Sequence, residues 1–188
     1  MAKRIAIVYH STYGHTEALA KSVLAGVQRV EGIEAKLVKA IDAKNDWEYL
    51  NGVDAIIFGC PTYMGSTSAE FKKFMEDSSG IWAKQKWKDK LAAGFTNSGS
   101  QSGDKLNTLT DLLIFAAQHS MIWVSLGLMP GNNSSKGSVE DINRLGAFLG
   151  AMAQSNNDQG PDMAPPPNDH ETAALLGKRV AELVKRFN

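Results

Sequence analysis

A turn rich in hydroxyl groups follows the first apolar segment of the chain, and its residue types suit an anion. An amphipathic helical pattern begins at the end of this turn, which consists of Ser11, Thr12, Tyr13, Gly14, His15 and Thr16. The first turn of a helix offers free backbone N–H groups and the positive end of the helix dipole. Because the turn contains no Lys or Arg, it favours one phosphate group held by neutral donors. A capped helix start after a tight turn is the alternative.

Two further loops carry small polar residues directly after strand-like segments. The second loop contains Pro61, Thr62, Tyr63, Met64, Gly65 and Ser66. The third loop contains Thr96, Asn97, Ser98, Gly99, Ser100, Gln101, Ser102 and Gly103. Backbone amides in such loops can bind the edge of a flat heterocycle, and aromatic or thioether side chains can cover its face. Taken singly, neither loop is evidence enough for a ligand, because turn residues after a strand need none and a flexible polar connection is common.

Strand-like and helical patterns alternate along the chain. Short apolar runs predict strands at residues 4–10, 34–40, 53–60, 91–96 and 121–128. Apolar residues at helical spacing predict helices at residues 16–30, 68–77, 104–119 and 169–187. This alternation is typical of an α/β protein with a doubly wound parallel sheet and helices on both faces, and five strands fit either common order. We expect one domain over residues 1–188, with loops at 129–146 and 156–168, while residues 145–152 match neither pattern.

The three loops are expected to meet at one crevice. In an open α/β sheet, ligands bind beyond the carboxyl ends of the strands, where the strand order reverses. One loop suits a phosphate and the other two suit a planar ring, so together they predict a mononucleotide with a flat head, such as FMN. The chain has neither G-x-x-x-x-G-K-[ST] nor G-x-G-x-x-G, which argues against nucleoside triphosphates and dinucleotides.

The composition argues against several classes of function. Lys plus Arg and Asp plus Glu both total 20, so a broad basic surface for nucleic acid is not expected. The apolar runs are too short to predict a membrane span. Cys60 is the only cysteine, which excludes an internal disulfide and favours a reducing, cytoplasmic location. The histidines lack metal-ligand spacing, so no metal site is predicted.

Four stretches of the chain carry a family resemblance: AIVYHSTYGHTEALA, IIFGCPTYMGSTSAEFKKFMEDSSGIW, KLAAGFTNSGSQSGDKLNTL and QHSMIWVSLGL. They resemble the flavodoxin-like NAD(P)H:quinone oxidoreductases of the tryptophan-repressor-binding-protein (WrbA) type and cover most of residues 1–128. The resemblance implies a flavodoxin-like five-stranded parallel sheet of order 2-1-3-4-5 and FMN as the cofactor. It also implies NADH or NADPH as the electron donor, a quinone as the acceptor, and a homo-oligomer, either a dimer or a tetramer.

The resemblance also assigns roles to residues. The first turn would bind the FMN phosphate, and the second and third loops would contact the isoalloxazine ring. His119 would lie near the ring as the catalytic residue and tune it by a hydrogen bond or a positive charge; without the resemblance, it is simply the last polar residue of a helix. Tyr13 would lie near the nicotinamide, and Trp82 would help to form a substrate platform. The predicted cofactor-binding set is therefore residues 11–16, 61–65 and 96–103 together with His119.

The sequence leaves two other functions open. A flavodoxin-type electron carrier would bind FMN but have no substrate of its own. The long loop after residue 128 favours a carrier, because it lacks the glycine-rich Pro-Tyr-Gly stretch usual in the family; the zero net charge and Trp82 weigh against one. A flavodoxin fold that has lost tight flavin binding would instead serve as an interaction protein.

Overall fold

The computed structural model describes residues 2–187, and within them seven strands form one sheet. The strands are β1 (Lys3–Tyr9), β2 (Ile33–Lys39), β3 (Ala55–Tyr63), β4 (Ser66–Thr67), β5 (Leu91–Ser98), β6 (Ile122–Trp123) and β7 (Ala151–Gln154). Five of them run in the order β2-β1-β3-β5-β6 with parallel neighbours, while β4 pairs antiparallel with β3 and β7 pairs parallel with β5. The predicted α/β class with a parallel sheet is therefore confirmed. The predicted order 2-1-3-4-5 agrees in part, because the sheet has more strands than five and β4 and β7 lie off the main path.

Helices cover both faces of this sheet. They are α1 (His15–Gln28), α2 (Trp47–Asn51), α3 (Ala69–Asp77), α4 (Ser79–Ala83), α5 (Lys105–Gln118) and α6 (Pro167–Arg186). Side chains of β1 alternate between two apolar cores: Ile5 and Ile7 belong to the core with α1 and α6, whereas Ala6 and Val8 belong to the core with α3 and α5. β3 and β5 are buried almost throughout, because parallel strands covered on both faces need an unbroken apolar sequence.

The fifth strand position is divided between two segments, which corrects the strand predicted at residues 121–128. Only β6 pairs there, beside Leu91 and Ala92 of β5. The chain leaves the sheet at residues 124–150, where Gly127 has a φ of +71°, and returns as β7 with Ala151 beside Phe95. Val124 and Leu126 are buried, so this apolar run fills a core without pairing as a strand. A strand as short as β7 carries too little periodic pattern to be predicted.

Short helices occupy two segments that the sequence pattern does not identify. Residues 40–51 form a 3-10 helix (Ala40–Asp46) followed by α2, and α4 follows α3 after one residue. One or two helical turns show too few apolar repeats to reveal their period. Within residues 2–187, no helix is both long enough and apolar enough to cross a bilayer.

Candidate cofactor-binding site

A cleft of about 1000 Å³ lies beyond the carboxyl ends of β1, β3 and β5. The strand order reverses between β1 and β3, which is where open α/β sheets bind ligands. All three predicted loops line the cleft, through Ser11, Tyr13, His15, Thr16, Pro61, Thr62, Tyr63, Met64, Gly65, Asn97, Ser98, Gly99, Ser100 and Gly103. A fourth loop, residues 155–161, completes the wall with Ser155, Asn157, Gln159 and Gly160.

The first turn ends in a helix start that offers hydrogen-bond donors. Gly14 has a φ of +92°, and its N–H donates to Ser11 Oγ at 3.1 Å, which fixes the turn. α1 begins at His15, so the N–H groups of its first turn have no acceptor within the helix. These donors and the dipole of α1 make this end of the cleft suitable for an anion without any cationic side chain.

Hydrogen bonds between buried threonine hydroxyls hold the start of the second loop in place. Thr96 Oγ1 donates to the Cys60 carbonyl oxygen at 2.7 Å, so Thr62 Oγ1 must donate to Thr96 Oγ1 at 2.8 Å. Thr108 Oγ1 therefore donates to Thr62 Oγ1, at 2.7 Å. Only Thr62 of these three lines the cleft. Thr96 was predicted to bind the cofactor; it is instead fully buried and supports the strand end.

α5 holds the rest of the second loop. Asn107 Nδ2 donates to the Gly65 carbonyl oxygen at 2.8 Å. Asp111 Oδ2 accepts from Ser66 Oγ at 2.5 Å and from the Thr67 N–H at 3.3 Å. The tight hairpin between β3 and β4 is thus tied to the helix that follows the third loop.

A buried lysine underlies the third loop. Lys105 Nζ donates to Ser98 Oγ at 2.8 Å and to the carbonyl oxygens of Ser100 and Gln101 at 2.8 and 2.9 Å. Its side chain is 1% exposed, and desolvation lowers its pKa to about 8 in spite of the nearby Asp169 carboxylate. Lys105 was not among the predicted site residues. Its spacing nevertheless indicates burial, because Lys105 occupies the same helical face as the buried Thr108, Leu109 and Leu112.

The fourth loop packs against the first and third loops. The His15 Nε2–H donates to the Gln159 carbonyl oxygen at 2.8 Å. A Cβ at Gly14 would lie 2.8 Å from Pro161 Cγ, and a Cβ at Gly99 would lie 2.0 Å from Asn157 Oδ1, so both loops meet the fourth at glycine. Residues 156–168 were predicted to be irregular surface; their first residues are instead part of the cleft. The available signal was small polar residues after an apolar segment, as in the other loops.

A buried ion pair anchors the start of the fourth loop. Arg144 Nε and Nη2 donate to the two carboxylate oxygens of Asp169 at 2.8 and 2.9 Å. The Gln154 N–H donates to Asp169 at 2.9 Å, and Gln154 Nε2 donates to the Gly99 carbonyl oxygen at 3.2 Å. Ser155 Oγ donates to Asn97 Oδ1 at 3.0 Å. Arg144 thereby ties the long 124–150 segment to the residues that support the third and fourth loops.

His119, which was predicted to lie near the ring, does not line the cleft of its own chain. It follows the C-terminal end of α5, whereas the third loop precedes the N-terminal end, about 20 Å away by the helical rise. Ser78 Oγ donates to the Met75 carbonyl oxygen, so the Nε2–H of His119 donates to Ser78 at 3.0 Å. Burial lowers the pKa of His119 to about 4, which leaves the ring neutral at pH 7.

Other predicted residues also lie outside the cleft. His119 and Trp82 line a separate cavity of about 390 Å³. Thr12 is exposed, and Gln101 and Ser102 face a neighbouring open groove. Among residues 2–187, no group of three or more His, Cys, Asp or Glu side chains could hold a metal ion.

The cleft residues fit a flavin mononucleotide. The anion-suited end is formed by hydroxyls and backbone amides, and the remainder is bounded by strand-end loops with an amide side chain at Asn97. Glycines at the loop contacts let the backbones approach where a Cβ would collide. The volume of about 1000 Å³ leaves room beside a ligand with one phosphate and one ring system.

The fold and this cleft define a flavodoxin-like protein, a class whose fold implies flavin binding. Residues 6–155 match the flavodoxin domain family. The chain therefore belongs to the flavodoxin domain family.

Known proteins share its sequence over nearly the whole length. It is 43% identical over 100% of both chains to Flavodoxin FldP of Pseudomonas aeruginosa. It is 31% identical to NAD(P)H dehydrogenase (quinone) of Archaeoglobus fulgidus, over 98% of each chain. The crystal structure of the flavodoxin, WrbA-like protein from Agrobacterium tumefaciens is 40% identical, with a TM-score of 0.77 over 99% of each chain. The resemblance stated from the sequence is thus confirmed.

Proposed function

We propose that this protein binds FMN in the four-loop cleft and transfers two electrons from NADH or NADPH to a quinone. The cleft itself supports this function most directly, because it combines an anion-suited helix start with a large open space. Tyr13 is 72% exposed and Met64 is fully exposed, so these rim side chains leave the mouth of the cleft accessible to a second reactant. A relative of similar length is named an NAD(P)H dehydrogenase (quinone).

The first turn would hold the phosphate. Ser11 and Thr16 line the cleft beside the first N–H groups of α1, which supply donors and a favourable dipole. Neutral donors suffice for one phosphate group, and the absence of Lys and Arg from the turn matches that requirement.

The second and third loops would hold the ring. Asn97 Oδ1 accepts from Ser155, which leaves Nδ2 to donate to a ring carbonyl or nitrogen. Thr62 and Ser98 add hydroxyls along the same wall. The Tyr13 and Tyr63 rings meet edge to face with their centroids 6.5 Å apart, and so border the mouth on one side.

Bound FMN would supply the two-electron chemistry, and the protein would supply binding, orientation and electrostatics. No proton transfer by a side chain is required for hydride transfer between a nicotinamide and a flavin. Tyr13 would contact the nicotinamide at the rim. Trp82 lies outside the cleft of its own chain, so its proposed role at the substrate requires a neighbouring copy of the protein in a dimer or tetramer.

Reconstitution tests this function. The full-length protein is loaded with FMN, and NADH and NADPH oxidation is followed with and without 1,4-benzoquinone. We expect stoichiometric FMN and quinone-dependent turnover. Ser11→Ala should weaken FMN binding, whereas Thr110→Ala, which removes a hydroxyl that lies outside the cleft and bonds the Leu106 carbonyl oxygen of its own helix, should not. Stoichiometric FMN without turnover would rule out the enzyme, and failure to retain FMN would rule out both flavin functions.

A flavodoxin-type electron carrier is the second candidate. It is favoured by 43% identity over the full length to a protein named Flavodoxin FldP. A carrier would retain FMN and exchange electrons with a protein partner, but would not oxidise NADH or NADPH in the presence of benzoquinone. The reconstitution assay therefore separates the two functions.

A further inference from the structure

A buried cation, Lys105, holds the third loop by hydrogen bonds. The direct hydrogen-bond acceptors of Lys105 are one hydroxyl and two backbone carbonyls, none of which carries a charge. Burying an ammonium group without a carboxylate in contact costs free energy, because the charge loses its hydration. A loop held by neutral side chains would avoid this cost, so the charge itself requires an explanation.

We propose that Lys105 is a positioning residue of the cofactor site: it orients the third loop toward the ring and sets a positive charge beneath it that favours the reduced, anionic form of FMN. This inference rests on the proposed binding of FMN in the cleft.

The orientation follows from peptide geometry. Lys105 draws the carbonyl oxygens of Ser100 and Gln101 inward. In a trans peptide, the C=O of one residue and the N–H of the next point in opposite directions. The N–H groups of Gln101 and Ser102 therefore point away from the ammonium group. Ser98 and Ser100, which Lys105 also holds, line the cleft, so the lysine fixes the part of the loop that faces the proposed ring.

The charge balance follows from the neighbouring ions. Asp169 on α6 and Arg144 are the charged groups that influence Lys105, and they pair with each other. Two positive charges against one negative charge leave a surplus of one positive charge under the loop. A pKa of about 8 keeps Lys105 mostly protonated at pH 7. Because these groups are buried, solvent and salt screen the surplus weakly.

Within its own chain, His119 does not supply this charge. Its ring is neutral at pH 7 and lies at the opposite end of α5 from the third loop. The positive charge expected from a histidine near the ring is therefore assigned to a lysine at the other end of the same helix.

Three substitutions in the FMN-loaded, full-length protein separate orientation from charge. Lys105→Gln keeps hydrogen-bond donors but loses the charge, Lys105→Met loses both, and Lys105→Arg keeps both. Lys90→Met is the matched control, because Lys90 is a partly buried lysine that donates to the Val53 carbonyl oxygen at the amino ends of β3 and β5, the ends of these strands opposite the cleft. The measurements are the FMN dissociation constant and the two-electron reduction potential of bound FMN.

We expect Lys105→Gln to weaken binding of reduced FMN about tenfold more than binding of oxidised FMN, which lowers the two-electron potential by about 30 mV. Lys105→Met should also weaken oxidised FMN, whereas Lys105→Arg and Lys90→Met should keep the wild-type potential. FMN binding retained by Lys105→Arg and lost by both neutral variants would equally support the inference.

Two results would overturn it. An unchanged reduction potential in Lys105→Gln would show that the charge of Lys105 does not influence bound FMN. A loss of FMN binding in Lys105→Arg equal to that in Lys105→Met would show that a cation at this position is not sufficient for binding. If the wild-type protein itself failed to bind FMN, the proposed function would be wrong and this inference would be wrong with it. If the wild-type protein bound FMN and either of the two results above were obtained, only this inference would be wrong.

Discussion

The His15 Nε2–H donates a hydrogen bond of 2.8 Å to the carbonyl oxygen of Gln159, across 144 positions of sequence. This contact joins the anion-suited turn to the fourth loop. It closes the ring of loops around the cleft by joining the first residue of α1 to a turn in the fourth loop.

Replacing His15 should release the fourth loop. His15→Ala removes a hydrogen bond of about 1 kcal/mol, so the FMN dissociation constant should rise about fivefold in a fluorescence titration. His170→Ala is the control, because His170 Nδ1 bonds Ser22 Oγ between α6 and α1, away from the cleft. It should lower the melting temperature without changing the affinity for FMN. Equal losses of affinity in the two variants would contradict a specific role for His15.

Gly99 should tolerate a side chain only if Asn157 gives way. A Cβ at Gly99 would lie 2.0 Å from Asn157 Oδ1. Gly99→Ala should therefore displace the fourth loop and weaken FMN binding, whereas the double variant Gly99→Ala with Asn157→Gly should regain most of the loss relative to Asn157→Gly alone. A double-mutant cycle with no coupling between the two positions would argue against this contact.

The threonine chain under the second loop should contribute to stability. Thr62→Val leaves the buried Thr108 hydroxyl without its acceptor, so the free energy of unfolding of the apoprotein should fall by about 1–3 kcal/mol. Thr110→Val is the matched change, since Thr110 bonds only the carbonyl oxygen of Leu106 on its own helix. It should alter stability by at most about 0.5 kcal/mol in urea denaturation. Similar effects of both changes would count against the hydroxyl chain.

Stability should depend on pH through His119. Burial lowers its folded pKa to about 4, against about 6.5 unfolded, so between these values the unfolded chain binds more protons. Unfolding free energy should therefore rise with pH across this window, and acidification from pH 6.5 to 4 should remove about 3 kcal/mol. His119→Phe keeps an aromatic ring against Trp87 and should flatten this dependence in urea titrations at several pH values. An unchanged slope in the variant would show that other groups cause it.

The alternation of apolar strand-like runs with helical patterns was enough to predict a parallel sheet and three of the four loops, whereas the strand order came from the family resemblance. β1, β3 and β5 have long buried sequences that fix both their type and their direction. The fourth loop carries the same small polar residues after an apolar segment, but its place in the cleft depends on contacts of Gln159 and Pro161 with residues far away in sequence.

The positions of single side chains were predicted less well for the same reason. His119 and Lys105 both lie on α5 or directly beside it, and periodicity gives each a face but not a distance from the third loop. Their charges are also set by burial, which leaves His119 neutral and lowers the pKa of Lys105. Such desolvation is a property of the packed fold and not of local sequence.

One helix supports both of the loops that would hold the ring. The first two turns of α5 reach the second loop through Asn107, Thr108 and Asp111, and the third loop through Lys105. The two loops and α5 therefore form one structural unit, in which a change to one part constrains the others. The first and fourth loops are joined to each other by His15 and Gln159, and the fourth loop meets this unit at Gly99. Grafting this cleft onto a related protein would therefore require α5 to be transferred together with the second and third loops.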